Sequence, residues 1–298
     1  MTKNNNLKLV TILSTGLVLL FALSALAQQT PPTFDQTLET QGCATLAERQ
    51  VRICKYDYSA HGKKVEAFTI RPVGVGKYPG LVLLYGREGA RTSFTLGTIF
   101  AQQGFACVAI SEPGYGKSEG QPDFMGPASI AAFKVGFEKF EHDPFVDRKK
   151  MGVFGYSRGG MAAALLTLKL GKKVKAAVLA AGVYDFKKAY DDTGLDGIRE
   201  SMRSETGMTE RAIKERSAIL RMEKLDSPVF IIHGENDQNA PTNQSLILRQ
   251  RLTELNKEFE IMILADHKHG QLKSNFLAPV IDFFSRKLKG VPGTWGRG

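Results

Sequence analysis

Met151-Gly152-Val153-Phe154-Gly155-Tyr156-Ser157-Arg158-Gly159-Gly160 carries an apolar run into G-x-S-x-G. A stretch rich in helix formers, Met161 to Leu170, follows and stops at Gly171, while the polar Asp147-Arg148-Lys149-Lys150 leads into the run. Strand, sharp turn and helix is the local order a nucleophile elbow needs. Its serine stays exposed at the turn because small residues two places before and two after let backbones approach closely.

A chain with 30 glycines produces such a pentapeptide by accident often enough that its surroundings must carry the reading. Apolar runs recur at 81–85, 105–110, 176–181, 229–232 and 260–264, with helix-like segments between most of them. Lys64 to Arg71 alternates like a half-buried strand after a polar leader, and Gly74 to Gly80 is a turn-rich break. Short apolar runs separated by helices predict an α/β fold: a doubly wound, mostly parallel sheet covered on both faces. Ligands then bind beyond the carboxyl ends of the strands. The charged, helix-like interval 185–226 exceeds a plain crossover and reads equally as a helical lid or a pair of surface helices.

A serine hydroxyl needs a histidine base, and the histidine needs a carboxylate to fix its tautomer. After 229–232 comes His233-Gly234-Glu235-Asn236-Asp237, whose Asp237 is the expected acid, with Glu235 and Asp266 as alternatives. After 260–264 comes Ala265-Asp266-His267-Lys268-His269-Gly270, and His269, followed by glycine, is preferred to His267 as base. Ser157, Asp237 and His269 stand in the chain order of α/β-hydrolase triads. His233 reads as a structural residue at a strand end, and His61 and His142 as surface residues. Oxyanion donors are expected from the amide of Arg158 and from the loop Tyr85-Gly86-Arg87-Glu88-Gly89, where Arg87 is assigned and Gly86 or Glu88 could serve instead.

Lys3 and Lys8 precede an apolar stretch that ends at Ala25-Leu26-Ala27, so residues 1–27 are expected to be a signal peptide cleaved after Ala27. The rest, 28–298, is expected to be one hydrolase domain, exported to a periplasm or secreted and without stable membrane insertion after cleavage. Removing the leader lowers the formal charge from +10 to +8. The remaining cations are dispersed among acids without interleaved aromatics, which argues against a nucleic-acid partner. Export permits a disulfide, and Cys43 and Cys54, close together ahead of the core, are expected to pair. Cys107 lies in an apolar run as a core residue; no Cys/His cluster suggests a metal site, and no cofactor is expected.

Several further motifs stand in order: Pro79 with Leu81 to Gly86; Gly104 to Gly120; Asp147 to Gly160; Ser227-Pro228 to Asp237; Pro241; and His269-Gly270. Over roughly 60–288 the chain resembles the α/β-hydrolase superfamily, and within it the catalytic domain of the prolyl oligopeptidase family and dienelactone-hydrolase-like esterases. The resemblance implies Ser157 as nucleophile, Asp237 as acid and His269 as base. Tyr85 stands where many relatives carry histidine, and Ser111 where aspartate is common. A prolyl oligopeptidase proper also carries a propeller that restricts entry to small peptides, and this sequence is expected to lack room for one. The expected activity is hydrolysis of a small carboxylic ester, or of a short peptide or amide, through a Ser157 acyl-enzyme. Thioester hydrolysis or acyl transfer on the same triad, and a noncatalytic binding module, are the alternatives.

Overall fold

The computed structural model describes residues 33–270 and 276–292. Residues 1–27, expected to be a signal peptide, lie outside them. After a capped helix α1 (Phe34–Gln41) come β1 (Cys43–Leu46), β2 (Val51–Lys55) and the small hairpin β3 (Tyr58–Ala60) and β4 (Lys63–Val65). Then follow β5 (Ala67–Pro72), β6 (Tyr78–Leu84), α2 (Phe94–Gln102), β7 (Ala106–Ile110), α3 (Pro127–Phe140), β8 (Val146–Tyr156), α4 (Arg158–Leu170) and β9 (Ala176–Ala180). The interval after β9 holds α5 (Phe186–Asp192), α6 (Asp196–Thr206) and α7 (Glu210–Arg216). The chain then continues through β10 (Val229–Gly234), α8 (Asn243–Glu254), β11 (Phe259–Leu264) and α9 (Leu277–Phe284).

Among the described residues, nine strands form one sheet in the order β1-β2-β5-β7-β6-β8-β9-β10-β11. From β7 to β11 all pairings are parallel, whereas β1, β2 and β5 enter antiparallel. The sheet is therefore mostly parallel and doubly wound, as expected from the alternation of apolar runs and helices. Leu81 and Leu83 of β6 face one core with Phe100 of α2 and Phe284 of α9. Val82 and Leu84 face the other with Phe137 of α3 and Leu166 of α4. Burial on both faces explains why these strands read as continuous apolar runs rather than as alternation.

Two local expectations are corrected. Lys64 to Arg71 is not one half-buried strand: it splits at Glu66 into β4 and β5, and Ala67 to Ile70 are all buried because β5 sits inside the sheet. The polar leader contains β1 and β2, whose Ala44, Val51 and Ile53 reach the core between exposed neighbours. The two strands are joined by a Cys43–Cys54 disulfide between directly opposed residues.

In the interval 185–226, Asp185 caps α5, Thr209 caps α7, and Gly207 closes α6 in the left-handed conformation. α6 fully buries only Met202. Ile198 packs on the core in part. None of the described helices is long and apolar enough to cross a membrane.

Candidate active site

β8 delivers Ser157 to the carboxyl edge of the sheet, where the chain reverses into α4. Ser157 has φ 58° and ψ −125°, a conformation that costs a non-glycine residue about 1–3 kcal/mol. Its surroundings hold it there. The Ser157 amide donates to Ala180 O of β9 at 2.8 Å, and the Gly160 amide donates to Ser157 O at 2.8 Å. A Cβ at Gly155 would fall 2.0 Å from Gly159 O, and one at Gly159 would fall 2.0 Å from Leu84 O. These glycines are therefore spacing requirements of the turn.

The loop after β10 brings in Asp237, which is 6% exposed. Its Oδ1 accepts the amides of Asn239 (2.9 Å) and Ala240 (3.0 Å), while Oδ2 lies 2.7 Å from Nδ1 of His269. Burial works against the charged form, but the hydrogen bonds from His233 and His269 outweigh it and lower the Asp237 carboxyl to about 2. An ionised carboxylate can only accept, so Nδ1 of His269 carries the hydrogen and Nε2 is left to accept. That Nε2 lies 2.8 Å from Ser157 Oγ. Tyr156 flanks the imidazole, its ring 5.4 Å from that of His269, and its hydroxyl accepts the Gly270 amide at 2.6 Å.

Ser157, His269 and Asp237, drawn from the ends of β8, β11 and β10, thus form one hydrogen-bonded chain. The alternatives lie elsewhere. Glu235 accepts the Asp266 amide at 3.3 Å on an exposed loop, and His267 turns its Nδ1 to Ala265 O at 2.7 Å. His61 and His142 are exposed.

His233 is fully buried, with Nδ1 2.7 Å from Ser245 Oγ and Nε2 2.7 Å from Ala240 O. Its Nε2 also lies 3.3 Å from Asp237 Oδ2. Because Ala240 O can only accept, Nε2 is the protonated nitrogen, and it faces the acid as a second donor. The reading of His233 as a structural residue at a strand end did not include this contact.

Ser157 opens into a cavity of about 410 Å³ lined by Gly86, Arg87, Glu88, Phe124, Met161 and Ile198 among others. Arg158 begins α4, so its amide has no carbonyl of an earlier turn to bond. The loop with Arg87 borders the same cavity, but the Arg87 guanidinium reaches across to Ser201 Oγ of α6 at 2.9 Å. Behind this loop, Ser111 Oγ accepts the Ala90 amide at 2.8 Å and donates to buried Glu66 Oε2 at 2.7 Å. A carboxylate from the β4–β5 break thus supports the loop at the position where Ser111 replaces the common aspartate. Tyr85 packs 5.5 Å from Tyr156, and burial raises its phenol above the usual range.

The side chain of Arg158 belongs to a network that sequence motifs did not show. It donates to Glu112 Oε1 at 2.7 Å and to both oxygens of Glu205, one at 2.9 Å, and lies over the Phe124 ring at 4.1 Å. Burial holds the Glu112 carboxyl above its usual range despite Arg158. Burial also pushes Glu205 upward, but its bonds to Arg158 prevail and lower it. Glu112 follows a strand end, a position that marks it in the sequence; Glu205 has no such signal. Among the described residues no group of three or more His, Cys, Asp or Glu side chains is arranged to hold a metal ion.

A doubly wound sheet with a serine at a strained strand-to-helix turn, facing a histidine and an acid from later strands, defines an α/β-hydrolase. The profile of Peptidase_S9, the prolyl oligopeptidase family, matches residues 93–291, and the chain belongs to that family of serine hydrolases. It is similar to "Uncharacterized peptidase YtmA" of Bacillus subtilis (strain 168), with 29% identity over 74% of this chain and 87% of that protein. It also resembles "Dipeptidyl-peptidase 5" of Porphyromonas endodontalis at 20% identity, covering 72% of this chain but 34% of that one. Among solved structures, the uncomplexed acylaminoacyl peptidase of Pyrococcus horikoshii superposes with a TM-score of 0.72 at 20% identity, over 84% of this chain and 43% of that one. Acetyl xylan esterase 1 from Thermoanaerobacterium sp. JW/SL YS485 superposes with a TM-score of 0.63 at 16% identity, over 79% and 83% of the two chains. At these identities the superpositions show the fold alone.

Proposed function

We propose that this protein is an exported serine hydrolase that cleaves a small carboxylic ester, or a short peptide or amide, through an acyl-enzyme on Ser157. The observation that carries the reading is the hydrogen-bonded chain Ser157 Oγ, His269 Nε2 and Nδ1, Asp237 Oδ2. Oγ attacks the acyl carbon while Nε2 takes its proton. Asp237 holds the ring and stabilises the imidazolium, which then protonates the leaving group. Water repeats the cycle in reverse to free the acid. The amides of Arg158 and Arg87 are the proposed donors to the tetrahedral oxyanion, where one such donor contributes a factor of about 10²–10³.

A small ester is the substrate of choice because the cavity of about 410 Å³ is at the lower end for small-molecule sites and has Phe124, Met161 and Ile198 on its walls. The test is a panel of p-nitrophenyl esters, anilides and thioesters with wild type and Ser157→Ala. Loss of turnover and of fluorophosphonate labelling in a folded variant is expected; retained labelling would overturn the assignment. Thioester preference in the same panel would select the carrier-acyl alternative.

Export rests on Lys3, Lys8, the apolar stretch and Ala25-Leu26-Ala27, and the Cys43–Cys54 disulfide suits an oxidising compartment. Sequencing the mature N-terminus tests it: a start at Gln28 is expected, and a start at Met1 in envelope fractions would overturn cleavage.

A further inference from the structure

Arg199 and Arg203 tie α6 to Tyr190 and Thr193 within the same interval, and one carboxylate ties it to the body of the hydrolase. Glu205 receives Arg158 on both oxygens, the Tyr115 hydroxyl on Oε1 at 3.1 Å and the Phe124 amide on Oε2 at 2.9 Å. Each donor belongs to the body of the hydrolase outside the interval 185–226. Arg158 cannot follow an outward movement of the helix, because Glu112, whose side chain is fully buried, holds the same guanidinium from the other side.

The helix faces the cavity with Ile198 and Ser201, which precede Glu205 by seven and four residues and so share its side of the helix. Met202 is the only residue of α6 that is fully buried and Ile198 packs on the core only in part, so the Glu205–Arg158 anchor is the polar tie to the body that bears on how close this wall stands to Ser157. The second link, Arg87 to Ser201, joins exposed groups and is correspondingly weak.

We infer that Glu205 is a specificity-determining positioning residue: by pinning α6 to Arg158 it sets the distance of the Ile198–Ser201 wall from Ser157, and with it the size of acyl group the site accepts. The inference rests on the proposed Ser157 hydrolase reading. Glu205 touches no reacting atom and acts through the wall it places.

The experiment compares p-nitrophenyl acetate, butyrate and octanoate with the full chain, its Glu205→Ala and Glu205→Gln variants, and Ile198→Ala, which trims the wall directly. Glu205→Ala is expected to raise the octanoate-to-acetate ratio of kcat/KM about fivefold or more, mainly through a lower KM for octanoate, with kcat on acetate within about threefold of wild type. Glu205→Gln keeps one acceptor oxygen and should fall between. Ile198→Ala should shift the ratio in the same direction even if Glu205→Ala does not fold. A ratio within about twofold of wild type in folded Glu205→Gln and Ile198→Ala, with the active fraction counted by fluorophosphonate, would overturn the inference and leave Glu205 a stabilising contact. If wild type labels at no serine and turns over no ester, the Ser157 reading falls, and this one with it.

Discussion

Ser157 Oγ and His269 Nε2 lie 2.8 Å apart although their positions in the chain differ by 112. That distance allows proton transfer in one step. His267, two residues earlier, turns its ring to its own loop instead. His269→Ala is therefore expected to lower kcat by about 10³-fold or more, and His267→Ala by less than about tenfold. Equal losses in the two variants, measured on a fast ester, would refute the assignment of the base.

Gly159→Ala places a methyl group against Leu84 O. Backbone must move to admit it, so a loss of roughly 3 kcal/mol or more and collapse of the elbow are expected. Gly197→Ala in α6 meets nothing within 4 Å and should stabilise by up to about 0.5 kcal/mol through helix propensity. Denaturant melts of both variants, with labelling of the serine, check the contrast; an unperturbed Gly159→Ala would show that the turn is not spaced by that glycine.

The Asp237 carboxyl is lowered from 3.8 to about 2 in the folded chain. Its folded form binds a proton less readily than its unfolded form, so its contribution to stability is present above about pH 4 and disappears as pH falls through about 2. That contribution is roughly 2 kcal/mol. The stability gap between wild type and Asp237→Asn should accordingly narrow on acidification below pH 4, as read from denaturant midpoints. A gap independent of pH between 2 and 6 would contradict this linkage. At neutral pH, Asp237→Asn should also lower kcat by about 10³–10⁴ through loss of the tautomer that Nδ1 now adopts.

The Cys43–Cys54 disulfide closes a loop with a sequence separation of 11 on β1 and β2, and β5, β7 and β6 stand between β2 and β8. Replacing both cysteines with serine should cost about 2–3 kcal/mol of stability. Because the strand bearing Ser157 is untouched, kcat/KM on a small ester should stay within about threefold. Thermal melting and ester kinetics on the same preparation test both halves, and a large loss of activity without a loss of stability would place β1–β2 in the site.

How much of this was legible in the sequence depended on how local the cause was. β6, β7 and β9 stood out because strands buried on both faces must be apolar throughout, and the loops after β8, β10 and β11 were marked by polar residues that interrupt such runs. Gly155 and Gly159 flagged the elbow because close backbone approach there excludes a side chain. β1 and β2 escaped because each places only one or two residues in the core, too few to establish a period.

By itself, then, the sequence determined the parallel α/β class and marked the turn at Ser157 and the polar loops after β10 and β11 that hold Asp237 and His269, since periodicity and turn chemistry act over a few residues. Only the tertiary structure decided that Asp237 faces both His233 and His269, that Glu66 supports the Arg87 loop through Ser111, and that Glu205 reaches Arg158. Those contacts join separate elements, and a charged side chain on a polar helix looks the same in sequence whether it meets water or a buried guanidinium. Which of the two it meets is settled by packing, when the crossovers bring distant strand ends to one edge of the sheet.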